Sequence, residues 1–163
     1  MTRLFFICSL AVALQSVYCQ QPTQLTESRR AAIRDSVIQM KNQFWDGVRA
    51  KHFEATIDLL DNSPEFFWVS PPDTTVFSHD ALVAGIKASF QHYRSIDVTI
   101  DYIRVEPLTN EYAIFTERSH ETDIDTSGKV SKSIGVYTGV AVHRPTGWKL
   151  LSGQTYEVPL KNK

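Results

Sequence analysis

The sequence predicts an α+β fold in which three N-terminal helices pack on a strongly curved antiparallel sheet. Three observations predict it. Helical periodicity is confined to the first half of the chain, period-two alternation fills the second half, and three turn signals cut that second half into four long segments. At 163 residues, 42% hydrophobic and 21% charged, the chain has the size and composition of one globular domain. A long twisted sheet with helices on one side curls into a half-open cone.

The domain is expected over residues 26–160, after a polar lead-in at residues 20–25 that contains Pro22. From Thr26 the pattern is helical: Ile33, Val37, Met40, Phe44 and Val48 recur at spacings of three and four, with Trp45 on the flank of that stripe. A shorter helix follows, with Phe53, Ile57 and Leu60 on one side, and Asp61-Asn62-Ser63-Pro64 stops it. Residues 65–69 are aromatic and β-branched, hence a strand, and Pro71-Pro72-Asp73 turns it into a short return strand at 74–77. Ser78 and Asp80 suit the start of a third helix, whose apolar residues are Leu82, Ile86, Phe90 and Tyr93. Ile96, Val98, Ile100 and Tyr102 then alternate with Asp97, Thr99 and Asp101. Thr109-Asn110, Asp125-Thr126-Ser127-Gly128 and Pro145-Thr146-Gly147 lead into strands at 112–122, 131–143 and 148–158, a four-stranded meander.

Residues 1–19 read as a signal peptide. Arg3 supplies the positive start, Leu4 to Leu14 is an apolar run too short to span a bilayer, and Val17 and Cys19 place small residues before a cut after Cys19. A lipoprotein site would acylate Cys19, but the large Tyr18 opposes that reading. The expected location is extracellular or periplasmic, with no membrane segment in the mature form. Cys8 and Cys19 are the two cysteines, so the mature chain would enter an oxidising compartment without a disulfide, a cysteine nucleophile or a thiolate metal site.

Composition narrows the function further. A net charge of -1 leaves no basic surplus for phosphate contacts, against nucleic-acid binding. His52, His79, His92, His120 and His143 lack zinc-site spacing. Asp123 to Gly128 mimics half of a calcium loop, but Ile134 stands where a bidentate carboxylate is required. No Gly-x-Ser-x-Gly elbow or phosphate loop occurs. No metal and no cofactor is expected.

The order helix, short helix, strand pair, helix and four long strands resembles the SnoaL-like/NTF2-like superfamily. Phe44 to Leu60 resembles its first helix, break and second helix. Thr146-Gly147-Trp148-Lys149-Leu150-Leu151 resembles the opening of the last strand in the DUF4440 branch. The resemblance covers Thr26 to Val158 and implies an NTF2-like cone around one pocket. The superfamily includes ketosteroid isomerase, which uses a Tyr, an Asp base and a protonated Asp. Those positions fall at Phe44, near Ser70 and at Gly139 here, so the resemblance implies the pocket without that reaction.

The same alignment assigns strand faces. Tyr112, Ile114, Thr116, Arg118 and His120 are expected to point inward on one strand, with Gly135, Tyr137, Gly139 and Ala141 on the next. Trp148, Leu150, Ser152, Gln154 and Tyr156 would follow on the last. The candidate ligand-binding residues are therefore Arg118, His120, Tyr137, Ser152, Gln154 and Tyr156, joined by Trp45 and Trp68 in an aromatic wall with Phe66 and Phe67. Arg118 would grip a ligand carboxylate in fork geometry. His120 and Tyr137 are the candidate catalytic pair. Gly135 and Gly139 would either open space above the sheet or mark a twist. The expected function is an exported, non-catalytic domain holding a small, partly apolar molecule, anionic where Arg118 meets it. One alternative is an isomerase, hydratase or cyclase using His120 with Tyr137 or Tyr156. Another is a homodimeric association domain paired through the sheet, which shows apolar residues such as Val136, Val140 and Val142 on its outer face.

Overall fold

The computed structural model describes residues 24–70 and 75–161. The expected signal peptide, most of the lead-in and the Pro71-Pro72-Asp73 turn lie outside the described residues.

Helix α1, Glu27–Ala50, starts where Thr26 turns its side chain back to accept from the backbone N–H of Arg29, and it carries Glu27 in its positive first turn. It ends at Lys51, whose left-handed backbone (φ 51°) sends its N–H back to Gly47 and Val48. Helix α2, Phe53–Ile57, follows at once, capped by His52 Nδ1. Strands β1 (Phe67–Ser70) and β2 (Thr75–Phe77) pair antiparallel. Helix α3, His79–His92, is capped by Ser78, as the sequence predicts. Strands β3 (Tyr93–Pro107), β4 (Tyr112–Asp125), β5 (Val130–Arg144) and β6 (Gly147–Pro159) form the meander. Among the described residues, no helix is long and apolar enough to cross a membrane.

The six strands make one curved, unclosed sheet in the order β2-β1-β6-β5-β4-β3. Two expectations need correction. The sheet is mixed rather than antiparallel throughout: β1 runs parallel to β6, with Phe67, Trp68 and Val69 opposite Ser152, Gly153 and Gln154. The reason is that the segment after α2 travels along the free edge of β6 in its own direction, beginning with Leu60 beside Leu150. The helices are also not an N-terminal block, because α3 follows the β1–β2 hairpin.

The core lies between α1 and the concave face. Ile33, Val37 and Met40 of α1 are buried in one cluster with Val105, Ala113, Phe115, Ala141 and Leu150. Each such aliphatic side chain contributes roughly 1.5–3 kcal/mol when fully buried. Helix α3 is different: Leu82, Val83, Ile86 and Phe90 are only partly covered, and none of its residues is fully buried.

Candidate functional site

The shortfall of burial under α3 leaves a cavity of about 350 Å³. Its roof is the apolar stripe Leu82, Ile86 and Phe90. Phe44, Trp45 and Val48 of α1 close one side, and Trp68, Tyr137 and Leu150 of the sheet form the floor. Trp45 packs edge-on against Tyr137, and the Trp68 indole donates to Thr155 Oγ1 at 2.9 Å, so both indoles are held.

Polar groups gather on the β4 side. Glu117, Ser119, Glu121 and Asp123 face inward in succession, as their register with Tyr137, Gly135, Ser133 and Ser131 requires. Glu117 is fully buried. It accepts from the Trp45 indole N–H at 2.5 Å and pairs with the equally buried Lys41 at 3.4 Å. Burial pushes the Lys41 ammonium down and the Glu117 carboxyl up, each more strongly than its partner pulls it back. Both groups are thus driven toward neutrality, and the pair adds no net charge in either proton arrangement.

Glu121 is 8% exposed and lines the cavity. Its Oε1 accepts from Ser119 at 2.8 Å and from the Tyr137 hydroxyl at 2.6 Å. It reaches Tyr137 because Gly135 lies beneath it: a Cβ there would collide with that oxygen. Burial, then the charge of Glu121, holds the Tyr137 hydroxyl firmly protonated. Asp123 lines the same wall, and its Oδ1 is buried with no hydrogen-bond donor. Burial, then Glu121, pushes the Asp123 carboxyl up to about 6. Glu157 of β6, at the exposed rim, is raised by partial burial and by Glu121 and Asp123. One end of an aromatic cavity therefore carries three carboxyl groups. No cationic side chain pairs with any of them among the described residues.

Of the residues expected at the site, Tyr137, Trp45 and Trp68 line this cavity. Arg118 and His120 do not: they lie on the outer face of the sheet and both bind Asp101, at 2.6 and 2.9 Å. The β4–β5 hairpin is the cause. Its last paired residues are Ile124 and Val130, and Asp125 and Lys129 close a three-residue loop in which Gly128 takes φ 89°. A two-residue loop would have set Thr116 opposite Tyr137 and turned Arg118 inward; the extra residue sets Glu117 there. Ser152, Gln154 and Tyr156 are inverted by a second irregularity. Ala141 pairs with Leu150 and Val140 with Ser152, so Leu151 is bulged out. Beyond it Gly153, Thr155 and Glu157 face inward, while Tyr156 is 63% exposed on the outside. Phe66 is buried against His79, and Phe67 is exposed on the outer face. His120 and Tyr137 stand on opposite faces of the sheet and cannot act together. The half calcium loop is turn chemistry, with Asp125 Oδ1 accepting from Ser127 Oγ and Lys129 N–H.

Sequence reasoning did not find Glu117, Glu121, Asp123 and Glu157. On β4 both parities read half polar, so alternation alone gives no preference. The available signal was the hairpin: Asp125-Thr126-Ser127-Gly128 suits a three-residue loop ending on a left-handed glycine.

The family model described as SnoaL-like domain matches residues 37–155. No curated protein matches by sequence. Among solved structures, the fold is similar to that of a candidate scytalone dehydratase from Novosphingobium aromaticivorans (TM-score 0.74, 11% identity, 85% of this chain and 94% of that one). It is similar to the hexachlorocyclohexane dehydrochlorinase LinA-type3 from Novosphingobium barchaimii (TM-score 0.69, 12% identity, 85% and 97% covered). It is also similar to a nuclear transport factor 2-like superfamily protein from Salmonella enterica serovar Typhimurium (TM-score 0.69, 14% identity, 82% and 95% covered). At these identities the likeness concerns the fold alone.

Proposed function

This chain belongs to the SnoaL-like domain family, and on that premise we propose that it binds a small, partly apolar molecule in the cavity beneath α3. The observation that carries the reading is the cavity itself: about 350 Å³, walled by aromatic side chains and roofed by a helix with no fully buried residue. The anionic ligand expected from Arg118 loses its support, because Arg118 is outside and the wall carries Glu121, Asp123 and Glu157. Native mass spectrometry of the protein from its host tests the proposal. A retained small molecule, displaced by Ala81→Trp on the cavity wall, supports it. An empty chain that also binds nothing in a metabolite screen ends it.

A second reading, acid–base catalysis, is favoured by Asp123, a cavity carboxyl pushed up to about 6. Proton exchange at the α-carbon of small cyclic ketones would then rise with pH through about 6 and vanish in Asp123→Asn. Exchange unchanged in that variant removes the reading.

We also propose export and self-association. Residues 1–19 act as the signal, which N-terminal sequencing of the secreted protein checks. The outer face pairs two copies through exposed Tyr102, Tyr112, Ile114 and Tyr156, which light scattering of Ile114→Lys checks.

A further inference from the structure

We infer that the ligand of this cavity is an organic monocation, an apolar body ending in a protonated amine or quaternary ammonium. The inference deepens the small-molecule reading above and rests on it.

The first argument is charge. Glu121, Asp123 and Glu157 line one end of the cavity, and Lys41 is the one cationic side chain in its wall among the described residues. Lys41 is committed to Glu117, and that pair contributes no net charge. An anionic ligand would enter against three carboxyl groups and meet no free cation.

A second, independent observation is unmet hydrogen-bonding and charge demand inside the wall. Glu121, nine-tenths buried, takes its side-chain hydrogen bonds from the neutral hydroxyls of Ser119 and Tyr137, and Lys41, already paired with Glu117, acts on it only beyond pairing distance. Asp123 Oδ1 is buried without any donor. The buried Asp123 Oδ1 calls for a donor, and a positively charged one supplies that missing bond and relieves the repulsion among the three groups. An ammonium brings donors and charge together.

The carboxyl groups do not suit a metal ion instead: among the described residues no three His, Cys, Asp or Glu side chains are grouped as a metal would need. The walls suit an organic cation. The protein already sets its own amine nitrogen against aromatic faces, with Lys41 Nζ 5.1 Å from Phe44, 5.3 Å from Trp45 and 5.6 Å from Tyr137 whichever of Lys41 and Glu117 holds the proton. Trp68, Phe90 and Tyr93 add aromatic surface to the same cavity wall that Asp123 lines. The volume accommodates one aromatic ring with a short chain.

Three probes of one shape and different charge test this: 2-phenylethylamine, 2-phenylethanol and 3-phenylpropionate, titrated into the protein while the indole N–H signals of Trp45 and Trp68 are followed by NMR. The amine is expected to bind about tenfold or more tightly than the alcohol, and the carboxylate more weakly than either. Asp123→Asn and Glu157→Gln each remove a charge with little change of shape, and Glu157 at the rim tolerates the change most safely. Each is expected to weaken the amine by about three- to tenfold and leave the alcohol within about twofold. Equal binding of amine and alcohol, or preference for the carboxylate, overturns the monocation inference and leaves the pocket reading standing. No perturbation of either indole by any probe at millimolar concentration removes both.

Discussion

The two ends of one concave sheet face are built to different standards. Toward α1 the face is packed: Phe115 is 2% exposed, Ile33 2%, Val37 and Ala113 0%, and the two ionisable groups there, Glu117 and Lys41, pair with each other while Glu117 also accepts from the Trp45 indole. Toward α3 the same strands carry Glu121 and Asp123, which form no ion pair among the described residues, beside a helix with no fully buried residue. The strands do not differ in kind between the two ends; the covering helix does. Helix α1 lays a stripe of buried residues along the sheet, whereas α3 stands over a hollow. One end supplies stability, and the other is free to hold something that is not protein.

The sharpest break in that comparison is the ion pair at its border. Lys41→Met strands Glu117 in the core and is expected to cost about 3–5 kcal/mol, measured by urea unfolding. Adding Glu117→Gln, which keeps an acceptor for Trp45, is expected to recover most of the loss. If the double variant is as unstable as the single one, packing rather than charge explains the cost.

Aromatic truncation sharpens the contrast directly. Phe115→Ala at the packed end is expected to cost about 3–5 kcal/mol. Phe90→Ala in α3, beside a space already empty, is expected to cost about 1 kcal/mol or less, because partial burial leaves less to lose. Similar losses at both positions would mean that the two ends are equally packed.

The carboxyl groups make the open end sensitive to pH. Asp123 titrates near 6 in the folded chain against an ordinary value of 3.8, so the folded state holds this proton more tightly than the unfolded one. Its contribution to stability is therefore greatest below about pH 4 and declines as pH rises through 6. Asp123→Asn is expected to stabilise the protein by about 1–2 kcal/mol above pH 7 and by nothing below pH 4. Thermal unfolding of both proteins across that range measures it; a gap independent of pH would assign the effect to packing.

The smallest effect belongs to the outer face. Arg118→Ala removes a half-exposed pair with Asp101 and is expected to change stability by less than about 1 kcal/mol. It is also expected to leave probe binding in the cavity unchanged. A large loss of binding would return Arg118 to the interior.

How far the sequence could be read differs between elements. The α1 stripe was legible because a helix repeats its face every three to four residues: Ile33, Val37, Met40 and Val48 are buried, Phe44 between them is partly so, and Trp45 on their flank is buried too. The four long strands were legible in extent, and on β5 Gly135, Tyr137, Gly139 and Ala141 do face inward. The candidate site was legible only where it sits on these elements, at Tyr137, Trp45 and Trp68. It was lost on β4, whose whole face is set by the loop that joins it to β5, and on β6 beyond Leu151, where a bulge inverts the side chains that follow.

By itself the sequence determined the class of fold, the order of its elements, the packed stripe of α1 and the aromatic character of the interior. Those properties follow from periodicity and composition, which average over many residues. The tertiary structure alone decided which face of β4 is inside, and with it whether the interior holds Arg118 and His120 or Glu121 and Asp123. Strand parity is a choice between two states with no gradation. A single extra residue in the Thr126-Ser127-Gly128 loop makes that choice for the whole strand, and with it the charge of the cavity.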